Sequence, residues 1–154
     1  MIGRLRGFCL GAGLEIAASC DFRVADDSFV MGMPEVKVGL PSVIEAALLP
    51  RLIGWGKTRE LLLTGTNFCA DEAVAMHFVE KRLPAAELDS WMETWLERIL
   101  QVGPIAVCAQ KALIGSWEEL GSAAAIEAGI GTFSDAYLTD EPNCMPAPHL
   151  KPKA

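Results

Sequence analysis

Two glutamates stand out among the 154 residues as able to do chemistry, Glu15 and Glu35, 20 positions apart, with a glycine-rich stretch running into the first. That stretch reads Gly7-Phe8-Cys9-Leu10-Gly11-Ala12-Gly13-Leu14-Glu15. Small residues there let a backbone approach a partner closely, just before the free N–H groups of a helix start. Such a corner can bind a phosphate, or donate hydrogen bonds to an oxyanion that develops in acyl chemistry. Gly11-Ala12-Gly13 lacks the later glycine of a dinucleotide fingerprint, and no Gly-Lys-Ser/Thr ending marks a P-loop. Tight loop packing explains the glycines, taken alone, at least as readily.

Glu15 falls in the first helical turn, where a carboxylate gains about 0.3–1 kcal/mol from the helix dipole, so a structural role also accounts for it. Its neighbours Leu14, Ile16, Ala17 and Ala18 are apolar, however, and a carboxylate in such a setting is costly without a partner. Glu35 follows Pro34 in an otherwise apolar segment. One helix, two short strands and a turn would return it opposite Glu15. Two facing carboxylates can share acid and base duties when their environments hold the protons where the chemistry needs them.

The remaining polar candidates have bland explanations. Ser42-Val43-Ile44-Glu45 has capping-box spacing, which assigns Glu45 a structural role. Trp91 and Trp95 recur with Leu88 and Ile99 at helical spacing and read as core. His77 closes a helix as a C-terminal charge or cap, and His149 has no identifiable catalytic neighbour. Lys57 and Arg59 open a helix, where cations are not favoured, a mild hint of an anionic partner against a default of solvated charge. Two separated histidines and no paired cysteines predict no metal site.

The elements that must position these residues read as α/β. Strands are expected over Phe22–Ala25 and Phe29–Met31, an irregular segment over Pro34–Pro41, and helices from Ser42 to about Ile53, kinked or shortened by Pro50, and from Lys57 to about Thr64. A third helix, capped by Asp71, ends near His77. Val79–Leu83 reads as a strand, an amphipathic helix runs to Val102, Gly103-Pro104 starts another, and Ser122–Tyr137 is helical. The division expected is a core over residues 1–83, a helical region over 84–141 and an irregular tail over 142–154, with no linker separating two domains.

The net charge of −7 and a hydrophobic content of 51% describe a folded globular domain and argue against nucleic acid, which calls for a basic stripe. Apolar stretches are interrupted by Glu15, Glu45 or Pro50 well before the roughly 20 residues that span a bilayer. Five cysteines, an odd number, read as mostly buried free thiols in a reducing compartment such as the cytoplasm, the mitochondrial matrix or a peroxisome.

The run from Gly7 to Ala17, followed by Cys20-Asp21-Phe22-Arg23-Val24-Ala25 and Met33-Pro34-Glu35-Val36-Lys37-Val38-Gly39, resembles the enoyl-CoA hydratase/isomerase (crotonase) family. The resemblance continues through Pro50-Arg51-Leu52-Ile53-Gly54 and Leu63-Thr64-Gly65. It implies a crotonase-like ββα superhelix followed by C-terminal helices, truncated because the chain begins where family members are already advanced. It further implies an acyl-CoA substrate, no cofactor beyond the CoA of the thioester, and a homo-oligomer based on trimers. The catalytic acids of the hydratases fall on Glu15 and Glu35, and one backbone oxyanion donor falls on Ala12, where relatives usually carry glycine. Retention of both acids favours adding water to a 2-enoyl-CoA over double-bond migration. A non-catalytic assembly module, and another acyl-CoA isomerase, dehydratase or hydrolase, are the competing expectations. After Gly39 the family's usual glycine-rich stretch is replaced by Leu40-Pro41-Ser42-Val43-Ile44-Glu45-Ala46, which predicts an altered acyl pocket.

Overall fold

The structure is a computed structural model and describes residues 1–145, so His149 lies outside the described residues. It divides into two units, Met1–Met92 and a second beginning at Glu93.

The first unit is built from strand, strand and helix in succession. Strands β1 (Ile2–Leu5) and β2 (Phe8–Leu10) precede helix α1 (Ala12–Ala18), and β3 (Phe22–Asp26) and β4 (Val30–Gly32) follow it. β1 pairs with β3 in parallel and β2 with β4 in parallel, so the two strands of each turn enter different sheets. The register sets Ile2 opposite Phe22, an advance of 20 residues, and Phe8 opposite Val30, an advance of 22. Glu35 therefore comes about one turn of the superhelix after Glu15. Parallel strands need such crossovers, because a tight hairpin reverses direction.

After β4 a 3-10 segment spans Pro34–Val38 and a second spans Ile44–Leu48. Helix α2 (Leu49–Thr64) follows, then β5 (Phe68–Cys69), α3 (Ala70–Ala75) and β6 (Lys81–Leu83). β5 joins β4 antiparallel and β6 joins β3 in parallel, completing two three-stranded sheets. Phe29, Phe78, Leu14, Met31, Met33, Leu49 and Leu61 are fully buried between these elements. Each such side chain contributes about 1.5–3 kcal/mol of burial. A smaller cluster of Val24, Leu83 and Leu88 packs with Trp91 and Met92.

Helix α4 (Leu88–Leu100) leads into the second unit, which contains α5 (Pro104–Glu119), α6 (Ser122–Ala136) and α7 (Glu141–Cys144). α5 and α6 form a hairpin in which the Trp117 indole N–H donates to the Ala125 carbonyl at 3.1 Å. The Glu141 carboxylate accepts from the Ile105 amide at 3.0 Å and the Ala106 amide at 2.6 Å, capping α5 from a distance in sequence. A short helix thus stands in the segment expected to be irregular.

Several local expectations need correction. No helix starts at Ser42 or is capped by it: the chain adopts the 3-10 segment first, and α2 begins at Leu49 with Pro50 in its first turn, where a missing N–H costs nothing. Glu45 is exposed rather than a cap. The break expected at Gly54-Trp55-Gly56 does occur, at Gly54, whose φ of 74° and ψ of 159° divide Leu49–Thr64 into two helical stretches; Lys57 and Arg59 lie near the start of the second, and Lys57 pairs with Glu60 at 2.7 Å. Cys69, not Asp71, caps α3 in a capping box with Glu72. The Cys69 amide donates to Glu72 at 2.8 Å and holds that carboxyl below its usual range, while Asp71 pairs with Arg82 at 2.8 Å. His77 sits just past α3 at a φ of 63°. Trp91 and Trp95 are only half-buried, and Trp91 packs at the margin of the Val24, Leu83 and Leu88 cluster. Of the cysteines only Cys20 is buried; Cys69, Cys108 and Cys144 are exposed, since each lies on a solvent-facing helix or helix end.

Candidate active site

The corner predicted from Gly7 to Glu15 forms where β2 runs into α1. Gly11 is the residue before the helix, with φ 53° and ψ −127°, a conformation that only glycine adopts without strain. Its amide donates across the sheet to the Gly32 carbonyl at 2.9 Å, and its carbonyl accepts from Leu14 at 2.8 Å and Glu15 at 3.1 Å. The next two amides, of Ala12 and Gly13, are first-turn donors without an intrahelical acceptor. Ala12 is exposed.

Glu15 is 8% exposed. Helical periodicity puts it on the same buried face as Leu14, Ala17 and Ala18, while Ile16 turns outward. No hydrogen bond or ion pair reaches its carboxylate among the described residues. No buried side-chain oxygen among the described residues lacks a partner, so the Glu15 carboxylate oxygens reach the surface although the rest of the side chain is covered.

Glu35 lies in the first turn of the Pro34–Val38 segment and is half-buried. Its Oε1 packs against Gly11 so closely that a Cβ there would meet it at 2.5 Å. Gly11 is thus required twice, by its positive φ and by this approach. Gly11 thus joins the Glu35 carboxylate to the start of α1, the helix that carries Glu15 in its first turn. The structure places Ala12 and Glu15 in the first turn of α1, with Glu35 packed against the Gly11 that precedes it, and Glu45 is exposed.

Two residues of the site went unrecognised in the sequence. Ser42, expected to cap a helix, donates its hydroxyl to Glu35 Oε2 at 3.1 Å. Arg23 is buried at 4% exposure behind α1. Its guanidinium donates to the carbonyls of Phe78 at 2.6 Å and Cys20 at 2.7 Å, reaches those of Ala17 and Ala18 at 3.4 Å, and pairs with Glu80 at 2.9 Å. A cation at the C-terminal end of α1 favours the helix dipole and anchors the end opposite the corner. An arginine inside an apolar stretch that alternates like a strand was the available signal.

Among the described residues no group of three or more His, Cys, Asp or Glu side chains is placed to hold a metal ion. No single described helix is long and apolar enough to cross a membrane.

The chain belongs to the enoyl-CoA hydratase/isomerase family, whose family model matches residues 1–143. It is 33% identical to the short-chain-enoyl-CoA hydratase of Clostridium acetobutylicum over 144 residues, 92% of this chain and 54% of that protein. It is 37% identical to the crotonyl-CoA hydratase of Syntrophomonas wolfei over 131 residues, 83% of this chain and 50% of that protein. The crystal structure of enoyl-CoA hydratase from Bacillus anthracis superposes with a TM-score of 0.83 at 30% identity, covering 86% of this chain and 52% of the other. The chain spans about half the length of the relatives it matches. The fold is accordingly the crotonase fold, and the motif resemblance holds.

Proposed function

We propose that the protein carrying this chain is an enoyl-CoA hydratase, adding water across the double bond of a 2-enoyl-CoA thioester. The observation that carries the reading is the Glu35 carboxylate packed against Gly11, the residue before α1, with Glu15 in the first turn of that helix and its carboxylate without a protein partner among the described residues. Family membership and relatives named as hydratases support it.

In this reading Glu15 and Glu35 together hold a water molecule. As its oxygen bonds to the β-carbon, a carboxylate takes its proton, and the electron pair of the double bond moves through the α-carbon onto the thioester oxygen. The Ala12 N–H stabilises that enolate, where one preorganised donor is worth roughly 10²–10³ in rate. A proton returned to the α-carbon completes the addition with no bond to sulfur broken. The chemistry calls for no cofactor, because CoA belongs to the substrate. Keeping both acids favours hydration over double-bond migration. The exposed Ile126, Ile130 and Phe133 of α6 support a homo-oligomer, trimer-based by the family resemblance.

The test is hydration of crotonyl-CoA, followed by loss of enoyl-thioester absorbance, in E15Q and E35Q variants of the protein carrying this chain. Each should lose at least the ~10²-fold typical of a missing general acid or base. Thioester affinity should change far less. Full turnover by either variant shows that carboxylate to be structural and overturns the reading.

A further inference from the structure

The Glu35 side chain has three rotatable bonds and stands on a 3-10 segment that buries none of its own residues. Packing alone therefore does not fix its carboxylate. Two contacts do. Oε1 abuts Gly11 at the start of α1, and Oε2 accepts the Ser42 hydroxyl at 3.1 Å. We propose that Ser42 is the positioning residue of Glu35, holding Oε2 so that Oε1 stays at the Gly11 corner; the proposal rests on the hydratase reading.

The backbone on both sides of Ser42 is tied down. Before it the Leu40 amide closes the 3-10 segment on the Glu35 carbonyl at 3.1 Å, and after it the Ala46 amide returns to the Val43 carbonyl at 3.1 Å. Inside that second closure, two residues past Ser42, Ile44 takes a φ of 52°, an outlier for a β-branched residue. Strain of this kind persists where surrounding structure over-determines it, and it clusters at functional sites. The Ser42 hydroxyl is not spent on the following helix, which has no side-chain cap. A hydroxyl donating to a carboxylate makes a charge-assisted bond, about twice as strong as a neutral one, so losing it frees the acid to turn. The segment Leu40–Ala46, which departs from the usual glycine-rich pattern, thus supplies a side-chain clamp.

The decisive comparison is S42T against S42V in the protein carrying this chain, since the two replacements match in shape and differ in the donor. With crotonyl-CoA, S42V should lower kcat at least ~10-fold and leave KM within about twofold, and S42T should stay within about threefold of the parent. Thermal melting followed by circular dichroism should be alike for the pair. S42V placed in an E35Q background should cost nothing further, because Ser42 acts through Glu35. Equal turnover by S42V and S42T, or a full additional loss in the double variant, overturns the role of Ser42 while the hydratase reading stands. Full turnover by E35Q alone overturns both.

Discussion

The two units of this chain spend their apolar residues in opposite ways. In Met1–Met92 they are drawn inward around Phe29, Phe78 and Leu14, and the unit also buries Glu15, Arg23, Asp26 and Thr58. Among the described residues of the second unit Leu113 is the one buried apolar side chain. Ile126, Ile130, Phe133 and Leu138 stand more than half exposed there, and Trp117, Ile126, Ile130 and Phe133 line a groove of about 560 Å³. A unit that buries charge has the environment in which chemistry is tuned, and a unit that exposes a contiguous apolar face has the surface of an interface.

The sharpest way to break the first unit is to remove its buried cation. R23M leaves the Phe78 and Cys20 carbonyls without their donor and should cost about 3 kcal/mol in urea-induced unfolding, counting one or two unsatisfied buried acceptors. A midpoint unchanged from the parent would show that α1 does not depend on the guanidinium. Next in size is G11A. It forces an alanine to φ 53° and drives its Cβ into Glu35 Oε1, so about 1–2 kcal/mol of strain should accompany a larger loss of crotonyl-CoA turnover. If turnover and stability fell together and equally, the close approach of Glu35 would have no part in the site.

The second unit should respond differently. Replacing Ile126, Ile130 and Phe133 with serine removes exposed apolar surface, so sedimentation should shift toward the single chain while urea unfolding stays within about 0.5 kcal/mol, as for other exposed positions. Unchanged sedimentation would assign assembly to another surface.

The smallest effect concerns Cys9, whose thiol is pushed up from 9.0 to about 11 by burial, with Cys20 adding to the shift. The folded state holds this proton more tightly than the unfolded chain. Its contribution to stability is therefore fully present below pH 9 and is lost as the pH rises toward about 11. Alkylation should follow the same order: the exposed Cys69, Cys108 and Cys144 react at pH 8, and Cys9 lags until the pH nears 11. Early labelling of Cys9, mapped by mass spectrometry, would contradict its protected environment.

Much of this was legible in the order of residues. The glycine corner, α1, the strands β3 and β4, and the helices α4 to α6 follow from small-residue runs and from apolar periods of two and 3.6. Both candidate acids were singled out by type and setting, and their separation is about one turn of the superhelix. The failures share a cause. Ser42 has the type and spacing of a helix cap, but its hydroxyl meets Glu35, seven positions earlier, and that partner wins. Asp71 is the better capping residue by type, yet it pairs with Arg82 and leaves the role to Cys69. Capping rules count local partners only, and both competitors arrive through folding.

By itself the sequence determined the family, the two candidate carboxylates and the helix start at Ala12, because these depend on residue types at short range. The tertiary structure alone decided that Glu15 is 8% exposed, that Glu35 packs against Gly11, that the Ser42 hydroxyl donates to Glu35 and that Arg23 reaches the Phe78 carbonyl. The contacts of Glu35 with Gly11 and of Arg23 with Phe78 depend on the superhelix bringing one turn of the chain onto the next. Contacts between turns depend on register and backbone direction, which no local pattern of residue types encodes.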